Sequence, residues 1–216
     1  MLEKMGEFFD SRLEGYEEHQ LTCIESARDF YPFTAGCLPL DKNANVLDLG
    51  CGTGLELDYY FRLNNSAKVT GIDLAPGMLD ALRKKFPDKN STLIQGSYFD
   101  VPLCENEYDA AVSVESLHHF TKREKTALYC KLHKALKPDG YLILTDYFAA
   151  SDDEEILYRN ELDRLKSEQG IADDEFYHYD TPLTVEHEAQ ALKEAGFSAV
   201  EISGSWGNTY TLKASK

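Results

Sequence analysis

From residue 45 onward, short apolar runs alternate with stretches whose apolar residues recur at helical spacing. Such runs are typical of strands buried in a sheet, and the stretches between them are typical of helices with one buried face. Strands are predicted at 45–49, 68–73, 91–95, 108–114 and 140–147, and helices at 54–63, 76–86 and 121–137. Strand–helix alternation predicts a mostly parallel sheet with helices on both faces.

The regions on either side extend this pattern. Apolar spacing before residue 45 predicts two helices in the first forty residues. Further helices are expected at 151–170 and 184–196, and further strands at 199–203 and 209–213. The connection between the last two strands is short enough for an antiparallel hairpin.

Charge and composition narrow the class of protein. The 216 residues carry a net charge of −16 and contain no cluster of Lys and Arg, which argues against binding to nucleic acid or to an anionic membrane. Residues 151–180 contain eleven acids and three bases. Their net charge of −8 is half of the negative charge of the whole chain. The five cysteines are an odd number and include no C-x-x-C pair, which predicts reduced thiols. The N-terminus is acidic and has no signal-peptide pattern, so we expect a soluble cytoplasmic protein.

A glycine-rich loop follows the first predicted strand in the segment VLDLGCGTGLE. Its glycines are Gly50, Gly52 and Gly54, whereas a dinucleotide fingerprint requires G-x-G-x-x-G. The loop still allows a ligand to approach the backbone closely. Asp48 precedes it, and a carboxylate is a poor neighbour for a pyrophosphate but a good one for an ammonium group. Asp73 ends the next strand, where an acid can accept both hydroxyls of a ribose.

The D-L-G-C-G-T-G segment resembles the class I S-adenosylmethionine-dependent methyltransferases, in their small-molecule group with a methyltransferase domain. The resemblance covers most of the chain, from Phe9 to the final hairpin. It implies a Rossmann-like, doubly wound seven-stranded sheet in the order 3-2-1-4-5-7-6 with one antiparallel strand. It also implies S-adenosylmethionine as cofactor, S-adenosylhomocysteine as product and a small-molecule acceptor. We expect one domain made of a helical cap (1–44), a cofactor-binding core (45–150), an acidic helical insertion or lid (151–182) and a closing helix with hairpin (183–216).

The resemblance also assigns roles to individual residues. Leu74 and Met78 would pack on the adenine, and Ser97 stands where the family usually has an acid for the adenine amino group, so that Tyr98 or Phe99 would replace that contact. Arg12 could pair with the methionine carboxylate. The cofactor contacts predicted in this way, together with those from the loop, are Tyr16, Asp48, Gly50, Gly52, Gly54, Asp73, Leu74, Met78, Ser97, Tyr98 and Glu115.

Candidate catalytic residues follow the fourth and fifth strands. His118 and His119 are the best candidates for a general base, because imidazole titrates near neutrality and this end of the sheet faces the ligand crevice. Asp146, at the end of the fifth strand, could accept a proton or bind substrate. No spacing predicts a metal site. The expected reaction is methyl transfer to an O, N, S or C nucleophile. A nicotinamide-dependent oxidoreductase and a non-catalytic cofactor-binding protein remain alternatives. The oligomeric state, monomer or homodimer, stays open.

Overall fold

The computed structural model describes residues 1–172 and 175–216. Its strands are β1 (Asn45–Leu49), β2 (Lys68–Asp73), β3 (Asn90–Gln95), β4 (Tyr108–Val114), β5 (Leu136–Tyr147), β6 (Ala199–Trp206) and β7 (Thr209–Ser215). In this part of the chain they form one seven-stranded sheet in the order β3-β2-β1-β4-β5-β7-β6. Only β7 runs antiparallel to its neighbours. The predicted strand order and the predicted antiparallel strand are confirmed.

The helices are α1 (Met5–Ser11), α2 (Tyr16–Cys23), α3 (Ala27–Gly36), α4 (Leu55–Leu63), α5 (Pro76–Lys85), α6 (Lys122–Ala135), α7 (Asp152–Gln169) and α8 (Val185–Glu194). The prediction of two helices before the sheet is wrong, because three are present. Gly15 and Ser26 precede α2 and α3 in the left-handed backbone region, with φ of 80° and 59°. These two turns divide the chain into three helices, although the apolar pattern of the sequence runs on through them.

The core lies on both faces of the sheet. Leu47 and Leu49 point to the side covered by α6 and α8, whereas Val46 points to the side covered by α3 and α4. All three side chains are fully buried, as is typical of a central parallel strand. Burial of each such side chain contributes about 1.5–3 kcal/mol, so β1 is firmly anchored and the loop that follows it has a fixed origin.

The N-terminal helices cover the carboxyl ends of the strands. Lys4 forms an isolated antiparallel bridge with Tyr177, and the amide of Met5 donates to the carbonyl of Phe176 at 3.0 Å. The Phe8 ring stacks on His178 with 3.5 Å between ring centroids. Residues 175–178 therefore hold α1 over this edge of the sheet.

The predicted acidic lid divides into two parts. The described side chains of α7 are largely exposed, and Glu155 is the buried one among them. The following residues, 175–181, reach the edge of the sheet that α1 covers. Asp173 and Asp174, two acids of the predicted lid, lie outside the described residues. A lid function for 151–182 stays a prediction. No helix in the described ranges has the length and the apolar run needed to cross a membrane.

Candidate active site

The loop after β1 has a conformation that only glycine adopts without strain. Gly50 has a φ of +72°, and a Cβ placed on it would lie 2.2 Å from Oγ of Ser116. Gly52 also has a positive φ, of +47°. The amide of Gly50 donates to the carbonyl of Ile72 at 2.8 Å. The backbone of this loop is therefore fixed against β2 and presents a bare surface to a ligand.

Asp73 connects the loop to the end of β2. Its Oδ2 accepts a hydrogen bond from the Gly52 amide at 2.8 Å, and its Oδ1 accepts from the Ala75 amide at 2.8 Å. Burial raises the pKa of Asp73, and the backbone donors oppose this effect. Each carboxylate oxygen keeps a further lone pair, so Asp73 can still accept hydrogen bonds from two neighbouring hydroxyls.

A small cavity of about 50 Å³ lies between this loop and α1. Eight of the predicted cofactor residues line it: Tyr16, Gly50, Gly52, Asp73, Leu74, Met78, Tyr98 and Glu115. Sites for ligands of cofactor size begin near 300 Å³. The small cavity is therefore smaller than a whole cofactor requires.

Asp48 does not line this cavity. The residue is 1% exposed, and its carboxyl group is close to that of Glu56 in the first turn of α4. Burial, and then the neighbouring charge of Glu56, raise the pKa of Asp48 well above its usual range. Asp48 is thus one member of a buried carboxyl pair, and its contact with the cofactor stays a prediction.

Gly54 and Ser97 also lie outside the cavity lining. A Cβ on Gly54 would come within 3.3 Å of Leu82 and Phe86, so this glycine allows α4 to pack closely on α5. The Ser97 hydroxyl accepts from the Phe99 amide at 3.2 Å, which directs it into its own turn. Contact of either residue with the cofactor stays a prediction that this geometry does not favour.

A second, larger cavity of about 1020 Å³ opens beside the first. It is bounded by α1 and α2, by the residues after β4, by residues 178 and 180, and by the turn between β6 and β7. Four residues line both cavities: Phe9, Tyr16, Glu115 and His119. The two cavities therefore meet at these four side chains, and the larger one is the space available to a second ligand.

His118 is buried in the 3₁₀ turn after β4 and is paired with Asp146. Its Nδ1 lies 2.5 Å from Oδ1 of Asp146, whose Oδ2 accepts from the Leu117 amide at 2.8 Å. Burial alone lowers the pKa of His118, but the charge and the hydrogen bond of Asp146 outweigh it and raise the pKa to about 9. His118 is thus an imidazolium at neutral pH. Asp146 lies behind it, outside the cavity lining, so its action on a substrate would be indirect.

His119 has the opposite electrostatic environment. Its Nδ1 lies 3.1 Å from Oδ1 of Asp180 and 3.2 Å from the carbonyl oxygen of Tyr179. Burial, followed by the positive charge of His118, lowers the pKa of His119 to about 4. His119 is therefore neutral, with the proton on Nδ1 facing two acceptors. In this tautomer Nε2 carries the lone pair of the ring, and the His119 side chain lines both cavities.

Glu115 lies just before this 3₁₀ turn, and its carboxylate is within 4.8 Å of ring nitrogen and carboxylate atoms of His118 and Asp146. Its backbone adopts a φ of 50°, which is uncommon for a residue other than glycine. Its Oε1 is buried and has no hydrogen-bond partner among the described residues. Burial, and then the charge of Asp146, raise the pKa of Glu115 to about 8. A buried acceptor without a partner indicates that a donor from outside the chain belongs here.

Arg12 does not have the partner expected from the sequence. Its guanidinium pairs with both carboxylate oxygens of Glu3, at 3.2 and 3.0 Å, and lies over the ring of Phe8 at 3.7 Å from the centroid. The contact with a methionine carboxylate stays a prediction, and it would have to compete with this ion pair. A carboxylate nine residues earlier on the same helical segment already satisfies the side chain.

The imidazoles and carboxylates in this region also form two groups with ligand-like spacing. Atoms of His118, His119 and Asp180, and of Glu115, His118 and Asp146, lie within 4.8 Å of one another. The hydrogen bonds described above account for most of these approaches. The absence of a metal site stays a prediction from the sequence.

Comparison with known proteins gives an independent view of this region. Residues 46–140 match a family model described as a methyltransferase domain. The phosphoethanolamine N-methyltransferase of Plasmodium falciparum is 27% identical over 178 residues, which make up 78% of this chain and 60% of that protein. The carboxy-S-adenosyl-L-methionine synthase of Helicobacter hepaticus is 27% identical over 229 residues, 99% of this chain and 92% of that protein.

A solved structure has the same fold. Human N-acetylserotonin methyltransferase in complex with S-adenosylmethionine matches with a TM-score of 0.63 and 18% identity, over 88% of this chain and 52% of that chain. At this level of identity the likeness shows the fold alone. The chain spans less than two thirds of the length of the Plasmodium protein and of the human structure.

Proposed function

We propose that this chain, whose residues 46–140 match a methyltransferase-domain model, is a class I S-adenosylmethionine-dependent methyltransferase that methylates an O, N, S or C nucleophile of a small molecule bound in the 1020 Å³ cavity. The observation that carries the proposal is the position of His119. Its imidazole lines both the large cavity and the small cavity beside the glycine loop. A base at this junction is adjacent to both reactants.

The residues that line the small cavity fit the cofactor. Asp73 would accept the two ribose hydroxyls, Leu74 and Met78 would pack on the adenine, and the bare backbone at Gly50 and Gly52 would allow close approach. When bound, the cofactor supplies an electrophilic methyl group on a sulfonium. The protein then mainly has to orient the acceptor and exclude water, which can recover about 7–11 kcal/mol of the barrier.

His119 would act as the general base for acceptors that carry a proton on the attacking atom. Its neutral state gives Nε2 the lone pair that such a step requires, and Asp180 keeps the Nδ1 proton in place. His118 cannot serve in this way while Asp146 holds it as an imidazolium. Its positive charge keeps the His119 ring neutral before the reaction, and Asp180 would stabilise that ring once it has accepted a proton. General base catalysis of this kind contributes about 10²- to 10⁴-fold.

Calorimetry tests the cofactor part of the proposal. The purified protein is titrated with S-adenosylmethionine, S-adenosylhomocysteine and NADH in parallel. We expect micromolar affinity for the first two and no heat from NADH. Binding of NADH alone would replace the proposal by the oxidoreductase alternative.

Turnover tests the catalytic part. The protein is incubated with S-adenosylmethionine and a library of small amines, phenols, thiols and carboxylic acids, and formation of S-adenosylhomocysteine is followed by mass spectrometry.

On the best acceptor, His119→Asn should lower kcat by about 10²-fold or more, with the affinity for S-adenosylhomocysteine unchanged. The matched variant His133→Asn, on the far side of α6, should behave as the wild type. Cofactor binding without turnover of any acceptor would favour the non-catalytic alternative.

A further inference from the structure

The large cavity has a strong bias towards negative charge. Its lining contains the carboxyl groups of Glu14, Glu25, Glu115 and Asp180, and among the described residues Arg12 is the one Lys or Arg side chain. That guanidinium is paired with Glu3, and the imidazolium of His118, which also lines the cavity, is paired with Asp146. A phosphate or carboxylate in the cavity would therefore face four acids, and both of these cations already have a carboxylate partner.

The deepest of these acids, Glu115, has an unused acceptor. Its Oε1 is buried without a hydrogen-bond partner among the described residues, and it lies at the junction with the small cavity. Buried acceptors are nearly always paired. A ligand N–H group would satisfy it, and an ammonium group would do so with charge assistance.

The walls of the large cavity also suit a cation. Aromatic side chains of Phe9, Tyr147 and Trp206 line the cavity, and aromatic faces attract ammonium groups. The charged groups facing Glu115 from neighbouring elements are His118, Asp146 and Asp180. One imidazolium against two carboxylates leaves this cluster with an excess of negative charge even when Glu115 is protonated.

From this geometry we infer that the acceptor is a small amine with an apolar body, and that its ammonium group binds the carboxyl of Glu115. The nitrogen of this amine is the atom that is methylated. The inference rests on the methyltransferase function proposed above. The nitrogen first loses a proton to Nε2 of His119. Its lone pair then forms the N–C bond while the C–S bond of the sulfonium breaks, and that electron pair stays on sulfur. The product is a protonated N-methyl amine, and the proton on His119 leaves to solvent.

Binding without turnover tests the acceptor class. The full chain is saturated with S-adenosylhomocysteine and titrated with three probes that share one body: 2-phenylethylamine, 2-phenylethanol and 3-phenylpropionate. We expect the amine to bind at least tenfold tighter than the alcohol and the carboxylate not to bind. Equal affinity for amine and alcohol, preference for the carboxylate, or no binding of the amine would overturn the inference. If the inference fails in this way, the proposed function is still supported when the protein binds S-adenosylhomocysteine and methylates an acceptor of another class.

Two variants test the role of Glu115. Glu115→Gln should reduce the preference for amine over alcohol to less than threefold. Glu201→Gln, an exposed acid on β6, should leave this preference and the S-adenosylhomocysteine affinity unchanged. A tenfold loss of S-adenosylhomocysteine affinity in Glu115→Gln would assign this carboxyl to the cofactor and overturn its role in acceptor binding. With S-adenosylmethionine, mass spectrometry should place the methyl group on the nitrogen of 2-phenylethylamine.

Discussion

Replacing Asp146 by Asn should remove a pH-dependent contribution to stability that comes from His118. In the folded chain the pKa of His118 rises from 6.5 to about 9 because Asp146 outweighs the effect of burial. At about 1.4 kcal/mol per pKa unit, this shift stabilises the folded state by about 3 kcal/mol. Because the folded pKa is the raised one, the contribution is fully present below pH 6.5 and is lost as the pH rises through about 9.

The assay is urea unfolding followed by circular dichroism at several pH values between pH 6 and pH 10. The difference in unfolding free energy between wild type and Asp146→Asn should shrink by about 3 kcal/mol over this range, since the contributions of groups common to both proteins cancel. The exposed Asp88→Asn variant should show a constant difference. A difference for Asp146→Asn that is also constant with pH would refute the argument that His118 is held as an imidazolium.

Three further substitutions probe the cofactor loop and the core. Asp73→Ala should weaken S-adenosylhomocysteine binding at least tenfold in calorimetry, because two hydroxyl acceptors are lost; an affinity within twofold of the wild type would contradict the ribose assignment. Gly50→Ala should cost about 1–3 kcal/mol of unfolding free energy, because its Cβ would lie 2.2 Å from Ser116 Oγ at a φ of +72°. Lys125→Met should cost about 3–5 kcal/mol, because it leaves the carboxylate of Glu188, which is 0% exposed, without its ion-pair partner.

Matched substitutions control the last two of these measurements. A Cβ on Gly36 meets no atom within 4 Å, so Gly36→Ala should not destabilise the protein. Lys122 forms an ion pair with Glu194 in which the side chains are 29% and 46% exposed, and Lys122→Met should cost less than about 1 kcal/mol. If the buried and the exposed member of either pair of variants lost equal stability, the explanation by local packing or burial would fail.

The sequence was sufficient to predict the sheet and the cofactor loop. The strand–helix alternation and the spacing of Gly50, Gly52 and Asp73 are local features, and the resemblance that they support is confirmed together with the strand order and the cofactor. The capping box of Thr121 and Glu124 is also local, and the structure shows both of its hydrogen bonds. Features of this kind depend on neighbours within a few residues.

The features that were missed depend on neighbours distant in sequence or on backbone conformation. Asp180 was not singled out as a site residue, because its contact with His119 requires the chain to return to the sheet after α7. The left-handed turns at Gly15 and Ser26 leave no trace in apolar periodicity. For Arg12, the competing partner Glu3 was visible in the sequence, but only the fold shows that the two side chains meet.

The difference between His118 and His119 follows from the same limit. The two residues are adjacent and chemically identical, so no sequence pattern can tell which one is the base. Asp146 approaches His118 from β5 and keeps it charged, while burial and that same charge keep His119 neutral. The proton on Nδ1 of His119 is held by Asp180, which leaves the lone pair on Nε2. The general base proposed here is therefore defined by two carboxylates, one from β5 and one from the segment after α7.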